Sequence, residues 1–180
     1  MSIKQLSVFL ENRPGKLYDL TALLAAHGID MRALSIAEAT DFGIARIIVN
    51  DVDRCALALR EGQFIAQLSD VLAFAVPDEP GGLHNLLKEF NDARVNIEYM
   101  YAFLGGEPGR AYMIFRVTDT AKAEQALTAR GLKSLTLAEI ENALVGGCLI
   151  LRPDEKETRL PRYSSFCRRR MQGDDAGAHR

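Results

Sequence analysis

The chain has 180 residues, 48% hydrophobic and 26% charged, with 22 basic and 24 acidic side chains and a formal net charge of −2. That profile fits an ordinary globular protein with room for one sizeable core or two small ones, and its acidic balance argues against a general electrostatic footprint for nucleic acid. Cys55, Cys148 and Cys167 are odd in number and widely spaced, with no CxxC pair, which suits a reducing cytoplasm better than a disulfide framework.

A strand pattern begins at Ile3, which leaves no room for a leader peptide, and no apolar run approaches membrane-spanning length. Residues 3–10 alternate as a first strand. Glu11-Asn12-Arg13-Pro14-Gly15-Lys16-Leu17 then turns the chain into a helix that runs to about Ala26 and is closed by His27-Gly28. Ile29 to Ala39 reads as a second strand whose apolar phase shifts between Met31 and Leu34, the mark of a bulge. Thr40-Asp41-Phe42-Gly43 is a hairpin turn and Ile44 to Val49 a third strand. Asn50-Asp51-Val52-Asp53 offers caps for a short helix through about Arg60, and Phe64 to Leu68 makes a fourth strand. The order is β-α-β-β-α-β.

The same order then recurs: strand 71–76, helix 82–93, strand 95–104, strand 111–117, helix 120–130 and a weaker strand within Ser134 to Leu137. An offset of 66 carries Leu17 onto Leu83, Leu20 onto Leu86, Leu24 onto Phe90 and Asp30 onto Asn96. Beyond the longer loop at Gly105 to Gly109 the offset is 68, carrying Asp51 onto Asp119 and Leu59 onto Leu127. An insertion confined to a turn is what a duplicated fold would show. The fold class expected is therefore α+β: two tandem ferredoxin-like units, 1–70 and 71–145, each an antiparallel sheet with helices on one face, followed by a charged tail over 146–180 that includes Arg168-Arg169-Arg170. A repeat of about 70 residues is marginal alone, so the halves should pack on each other.

Asn12-Arg13-Pro14-Gly15-Lys16-Leu17 and Asp78-Glu79-Pro80-Gly81-Gly82-Leu83 resemble the Asp/Asn-x-Pro-Gly-x-Leu turn of the ACT domain family, small modules that bind amino acids and regulate. Each follows an apolar strand, and each precedes a second strand start, Gly28-Ile29-Asp30-Met31 or Arg94-Val95-Asn96-Ile97, at the family's spacing. The resemblance implies a ligand-binding set of Asn12, Arg13, Pro14, Gly15, Lys16 and Asp30 in the first unit and Asp78, Glu79, Gly81, Gly82 and Asn96 in the second. In the serine-regulated branch of the family a further histidine touches the effector; Leu10 stands at that position here, which argues against serine itself. The resemblance implies a free amino acid or close relative as ligand at a unit-unit or subunit interface, a homodimer, and a separate enzyme or transporter as the regulated partner.

Charge logic supports that set: helix-start N–H groups suit a carboxylate, and Asp30 suits an ammonium. Plainer roles exist for each residue. Asn12 and Asp78 could cap their helices, the glycines could serve the turn alone, Asp30, Asn96, Arg13 and Lys16 could be solvated, and the Tyr99, Tyr101, Phe103 stripe could be buried in a sheet. No nucleophile-base pair and no clustered histidines stand out, so no catalytic residues, metal or cofactor are expected. Two other functions share this element order. An acylphosphatase-type enzyme would use Arg13, and an RNA-binding module would need exposed aromatics on a basic sheet.

Overall fold

The computed structural model describes residues 2–38, 42–104 and 109–145. The Thr40-Asp41 turn, the Gly105 to Pro108 loop and everything from Gly146 onward, with Cys148, Cys167 and the Arg168 to Arg170 cluster, lie outside the described residues.

Among the described residues, six strands and five helices follow in chain order: β1 (Ile3–Glu11), α1 (Lys16–Ala26), β2 (Met31–Glu38), β3 (Phe42–Val49), α2 (Val52–Glu61), β4 (Ile65–Pro77), α3 (Gly82–Asp92), β5 (Ile97–Leu104), β6 (Arg110–Val117), α4 (Thr120–Ala129) and α5 (Leu137–Val145). The strands form one antiparallel sheet in the order β2-β3-β1-β4-β6-β5. The sequence reads as a β-α-β-β-α-β unit repeated, and the structure has that order with two departures.

The first departure is β4. The runs expected as separate strands, 64–68 and 71–76, are one strand of 13 residues, pairing with β1 through Val71 and with β6 from Leu72. Ser69 and Asp70, which look like a break in sequence, stay in the ladder opposite Gln5 and Lys4. Lys4 Nζ and Ser2 Oγ donate to the Asp70 carboxylate, and those hydrogen bonds, Lys4's first, hold its carboxyl below the usual range. Arg116 donates to the Asp70 carbonyl from the other side.

The second departure is the last expected strand. Ser134 to Leu137 forms no strand; Leu135 donates a single backbone bond to Ala73, and α5 begins at Leu137. Thr136 and Glu139 form a capping box: Glu139 N–H donates to Thr136 Oγ1 at 3.2 Å, and Thr136 N–H returns a bond to Glu139 at 2.8 Å. The hydrogen bond from Lys133 first, and those from Thr136 after it, hold the Glu139 carboxyl down to about 2.

Alternation along the strands separates three cores. Leu6, Val8 and Leu10 of β1 meet Leu20, Leu24, Cys55 and Leu59 of α1 and α2. Leu72, Phe74 and Val76 of β4 meet Leu86, Phe90 and Leu127 of α3 and α4. The opposite parity, with Ile3, Ala33, Ile48, Val71, Ala73, Phe103, Tyr112 and Ile114, closes on itself around Ile140 of α5. The two halves therefore share a core on the side of the sheet opposite α1 to α4, where α5 packs and the edge strands β2 and β5 come into contact.

The duplication extends to backbone detail. Gly15 and Gly81, 66 apart, take φ of 93° and 96°; Asp51 and Asp119, 68 apart, each cap a helix through the side chain; and β2 and β5 both bulge, at Met31/Ala33 and Ile97/Tyr99. Gly28 (φ 61°) has Arg94 (φ 54°) as its counterpart, and Gly131 (φ 86°) has Gln63 (φ 60°). A left-handed non-glycine residue costs about 1–2 kcal/mol, and glycine's greater unfolded-state freedom offsets about 0.5–1 kcal/mol of that. Arg94→Gly should therefore stabilise the protein by about 0.5–1 kcal/mol. Urea unfolding checks it; an unchanged or lower midpoint would show that the Arg94 side chain contributes more than the strain removes.

Candidate functional site

Each Pro-Gly turn presents a helix start that no side chain caps. The left-handed Gly15 and Gly81 occupy the N-cap positions of α1 and α3, and neither helix start donates an N–H to a capping side chain among the described residues. Asn12 and Asp78 therefore do not cap these helices, in contrast to Asp51 and Asp119 on α2 and α4, which accept from Arg54 and Lys122 N–H. Free N–H groups at a helix start attract anions.

The turns differ in charge and in space. Glu11, Arg13 and Lys16 surround the first, with Arg13 paired to Glu11 and Lys16 3.8 Å from Asp19. The second carries Asp78 and Glu79, both exposed, and is tied to the β5–β6 connection by Asp78 N–H donating to the Gly109 carbonyl. Around Gly15 and Gly81 an added Cβ would meet nothing within 4 Å, whereas at Gly82 it would lie 2.2 Å from the Pro77 carbonyl oxygen. Gly82 is required by close approach of the helix start to the strand end; Lys16 occupies the matching place in the wider first turn.

Asp30 lies at the entry to β2. Its backbone exchanges bonds with Asn50, and its carboxylate pairs with Arg32 at 2.8 Å, which in turn reaches Glu141 of α5 at 3.2 Å. Asn96 is exposed, with no side-chain partner among the described residues.

The strand register decides which of these residues can meet. Leu6 faces Ile47, and Met31 faces Val49, so Asp30 stands at the Lys4 end of β1 while Asn12 leaves its other end. At least eight strand residues, Lys4 through Glu11, separate the two levels, roughly 26 Å at ~3.3 Å each. The second half repeats this: Asp78 leaves the Pro77–Arg110 end of its ladder and Asn96 enters at the Ile97–Val117 end. The structure thus brings Asp30 and Asn96 to one level of the sheet, on its two edge strands. It sets the two turns at opposite ends and does not join Asn12 to Asp30, or Asp78 to Asn96, within one chain.

The rival chemistries find little here. Tyr99 and Tyr101 direct their hydroxyls to Gln5, and Phe103 stacks on Tyr112 with centroids 5.3 Å apart, so the aromatic stripe is turned inward. Burial pushes the Cys55 thiol up to about 11, which removes it as a nucleophile at neutral pH. No helix among the described residues is long and apolar enough to cross a membrane.

The family model for the ACT domain pair matches residues 1–144. A protein of Bacteroides thetaiotaomicron is similar in structure, with a TM-score of 0.72 and 36% identity over 78% of this chain and 96% of its own. The ligand-free regulatory subunit of aspartate kinase from Thermus thermophilus has a TM-score of 0.53 and 17% identity over 72% of this chain and 91% of its own, a likeness of fold alone. A search of the curated proteins returned no match.

Proposed function

The chain belongs to the ACT domain pair family, a family of small-molecule-binding regulatory modules, and from that premise we propose that it senses a free amino acid or close relative and modulates a separate cytoplasmic enzyme or transporter. Residues 1–70 and 71–145 are taken as its two repeats. The observation that carries the reading is the pair of left-handed glycine turns that open α1 and α3 with no side-chain cap. In this reading the carboxylate sits on the N–H groups that open α1 after Gly15, with Arg13, Pro14 and Gly15 shaping the turn and Asn12 and Lys16 beside it. The ammonium is taken by an oxygen-bearing side chain such as Asp30.

Because Asn12 and Asp30 of one chain stand at opposite strand ends, a ligand touching both kinds of residue needs two copies, so the site is completed in a homodimer. The second turn, with Asp78, Glu79, Gly81 and Gly82, and Asn96 form the corresponding site of the other repeat. Occupancy then favours whichever subunit packing closes the pocket, a population shift that a partner can read.

The test is a thermal-shift screen of the full chain against the free amino acids, followed by calorimetry. Gly15→Asp meets open space and carries only the strain of a left-handed φ of 93°, about 1–2 kcal/mol, so it should fold at reduced stability. An added negative charge on the anion-facing turn should weaken the hit by tenfold or more, about 1.4 kcal/mol. Undiminished affinity in Gly15→Asp would move the site away from the first turn, and a monomer by light scattering at micromolar concentration would sink the shared pocket.

A further inference from the structure

Away from both turns, the side of the sheet opposite α1 to α4 holds a polar cluster at the seam between the repeats. Gln5 is fully buried and Ser7 nearly so. Gln5 Nε2 donates to the Tyr99 hydroxyl at 2.7 Å and to Ser7 Oγ at 3.3 Å, while Gln5 Oε1 accepts from the Tyr101 hydroxyl at 2.9 Å. Arg46, the cross-strand neighbour of Ser7, lays its guanidinium carbon 4.0 Å from the centre of the Tyr99 ring.

Donors outnumber acceptors in this cluster. The Tyr99 and Ser7 oxygens each accept from Gln5, which leaves their own O–H protons without an acceptor among the described residues. Arg46 Nε is buried with no hydrogen-bond partner, and no Asp or Glu among the described residues forms an ion pair with Arg46. The Tyr99 ring offers its face to the cation, but the N–H bonds lie in the guanidinium plane and point past it. A buried, unmatched donor on a cation calls for a partner that packing alone does not supply.

We propose that Gln5, Ser7, Arg46 and Tyr99 form an internal binding site for a small carboxylate, separate from the glycine turns. One carboxylate supplies the missing charge and enough lone pairs for Arg46 Nε–H, Tyr99 O–H and Ser7 O–H together. A phosphate would bring more charge than a single guanidinium offsets. Arg46 is only partly buried, which gives the ligand a route in. Gln5, Ser7 and Arg46 come from the first repeat and Tyr99 from the second, so occupancy ties the halves together. The site does not depend on the turns being the effector site.

The test uses the full chain labelled with 15N-arginine, following the Arg46 Nε–H resonance, assigned by its loss in Arg46→Lys. Titration with sodium acetate should give a saturable shift that sodium chloride at matched ionic strength does not. Tyr99→Phe, which keeps the ring and loses the hydroxyl, and Ser7→Ala should each weaken acetate binding about fivefold or more by the number of donors lost, whereas Gly15→Asp should leave it unchanged. Equal shifts with acetate and chloride, a shift that never saturates, parental affinity in both hydroxyl variants, or loss of the shift in Gly15→Asp would each overturn the proposal.

Discussion

Phe90→Ala is expected to destabilise the protein by about 3–5 kcal/mol, the largest loss of any single substitution considered. Phe90 is 1% exposed near the end of α3 and fills the space between Phe74 and Phe115, at centroid distances of 5.6 and 4.6 Å. The edge-on contact with Phe74, at 83°, adds to simple burial, because the ring edge meets a ring face. Alanine leaves a cavity that β4 and β6 cannot close, since both are fixed in the sheet. Its counterpart Leu24 lies at the matching place on α1 without ring partners, so Leu24→Ala should cost less, toward the low end of ~2–5 kcal/mol. Urea unfolding with an unchanged slope would attribute the loss to the native core; a cost under about 1 kcal/mol for Phe90→Ala would contradict the packing of this cluster. The consequence reaches function, because α3 is the helix whose start forms the second turn.

The repeat was readable because its two copies place the same chemistry at fixed offsets. Asp51 and Asp119 precede helices in both halves and cap both, and the phase shift read between Met31 and Leu34 is the bulge seen at Met31/Ala33, recurring at Ile97/Tyr99. The merging of two strands into β4 was not readable, because Ser69-Asp70 is a polar break by composition and is stabilised in the ladder by Lys4, Ser2, Arg116 and Thr120, brought up from elsewhere. Helix α5 was hidden by the alternation of Leu135 and Leu137, although Thr136-Leu-Ala-Glu139 carries a capping-box signature that would have revealed it.

The candidate site divides in the same way. Glycine turns at helix starts follow from local sequence, so Gly15 and Gly81 were legible. Whether Asn12 and Asp30 can meet depends on strand register, and register is a non-local property. The seam cluster was missed for a related reason: Gln5 and Ser7 sit on the alternate face of β1, which local patterning assigns to solvent, and only the curl of the sheet buries them under Tyr99 and Tyr101. An inward Gln-x-Ser on the first strand, in a chain with a Tyr-x-Tyr on the edge strand of the second repeat, is the signal that could have marked it.

Gly82→Ala is expected to cost about 3 kcal/mol and to lower the melting temperature by roughly 6–12 °C, far more than its neighbour Gly81→Ala. The added Cβ lies 2.2 Å from the Pro77 carbonyl oxygen and 3.3 Å from its carbon, backbone atoms that cannot rotate aside. To relieve the clash, α3 must shift away from the end of β4. At Gly81 the surroundings are open, and only the left-handed φ of 96° opposes a side chain, a penalty of about 1–2 kcal/mol. Differential scanning calorimetry of the two variants checks the order, and a reversed order would mean that the turn conformation, not the close approach, controls this helix start. The same pair separates the roles of the two repeats. A shift of α3 moves the N–H groups that the second turn presents, so if that turn holds a ligand, Gly82→Ala should weaken binding along with stability. If affinity for the screened effector holds while stability falls, the first turn alone is the sensor and the second has become a structural brace.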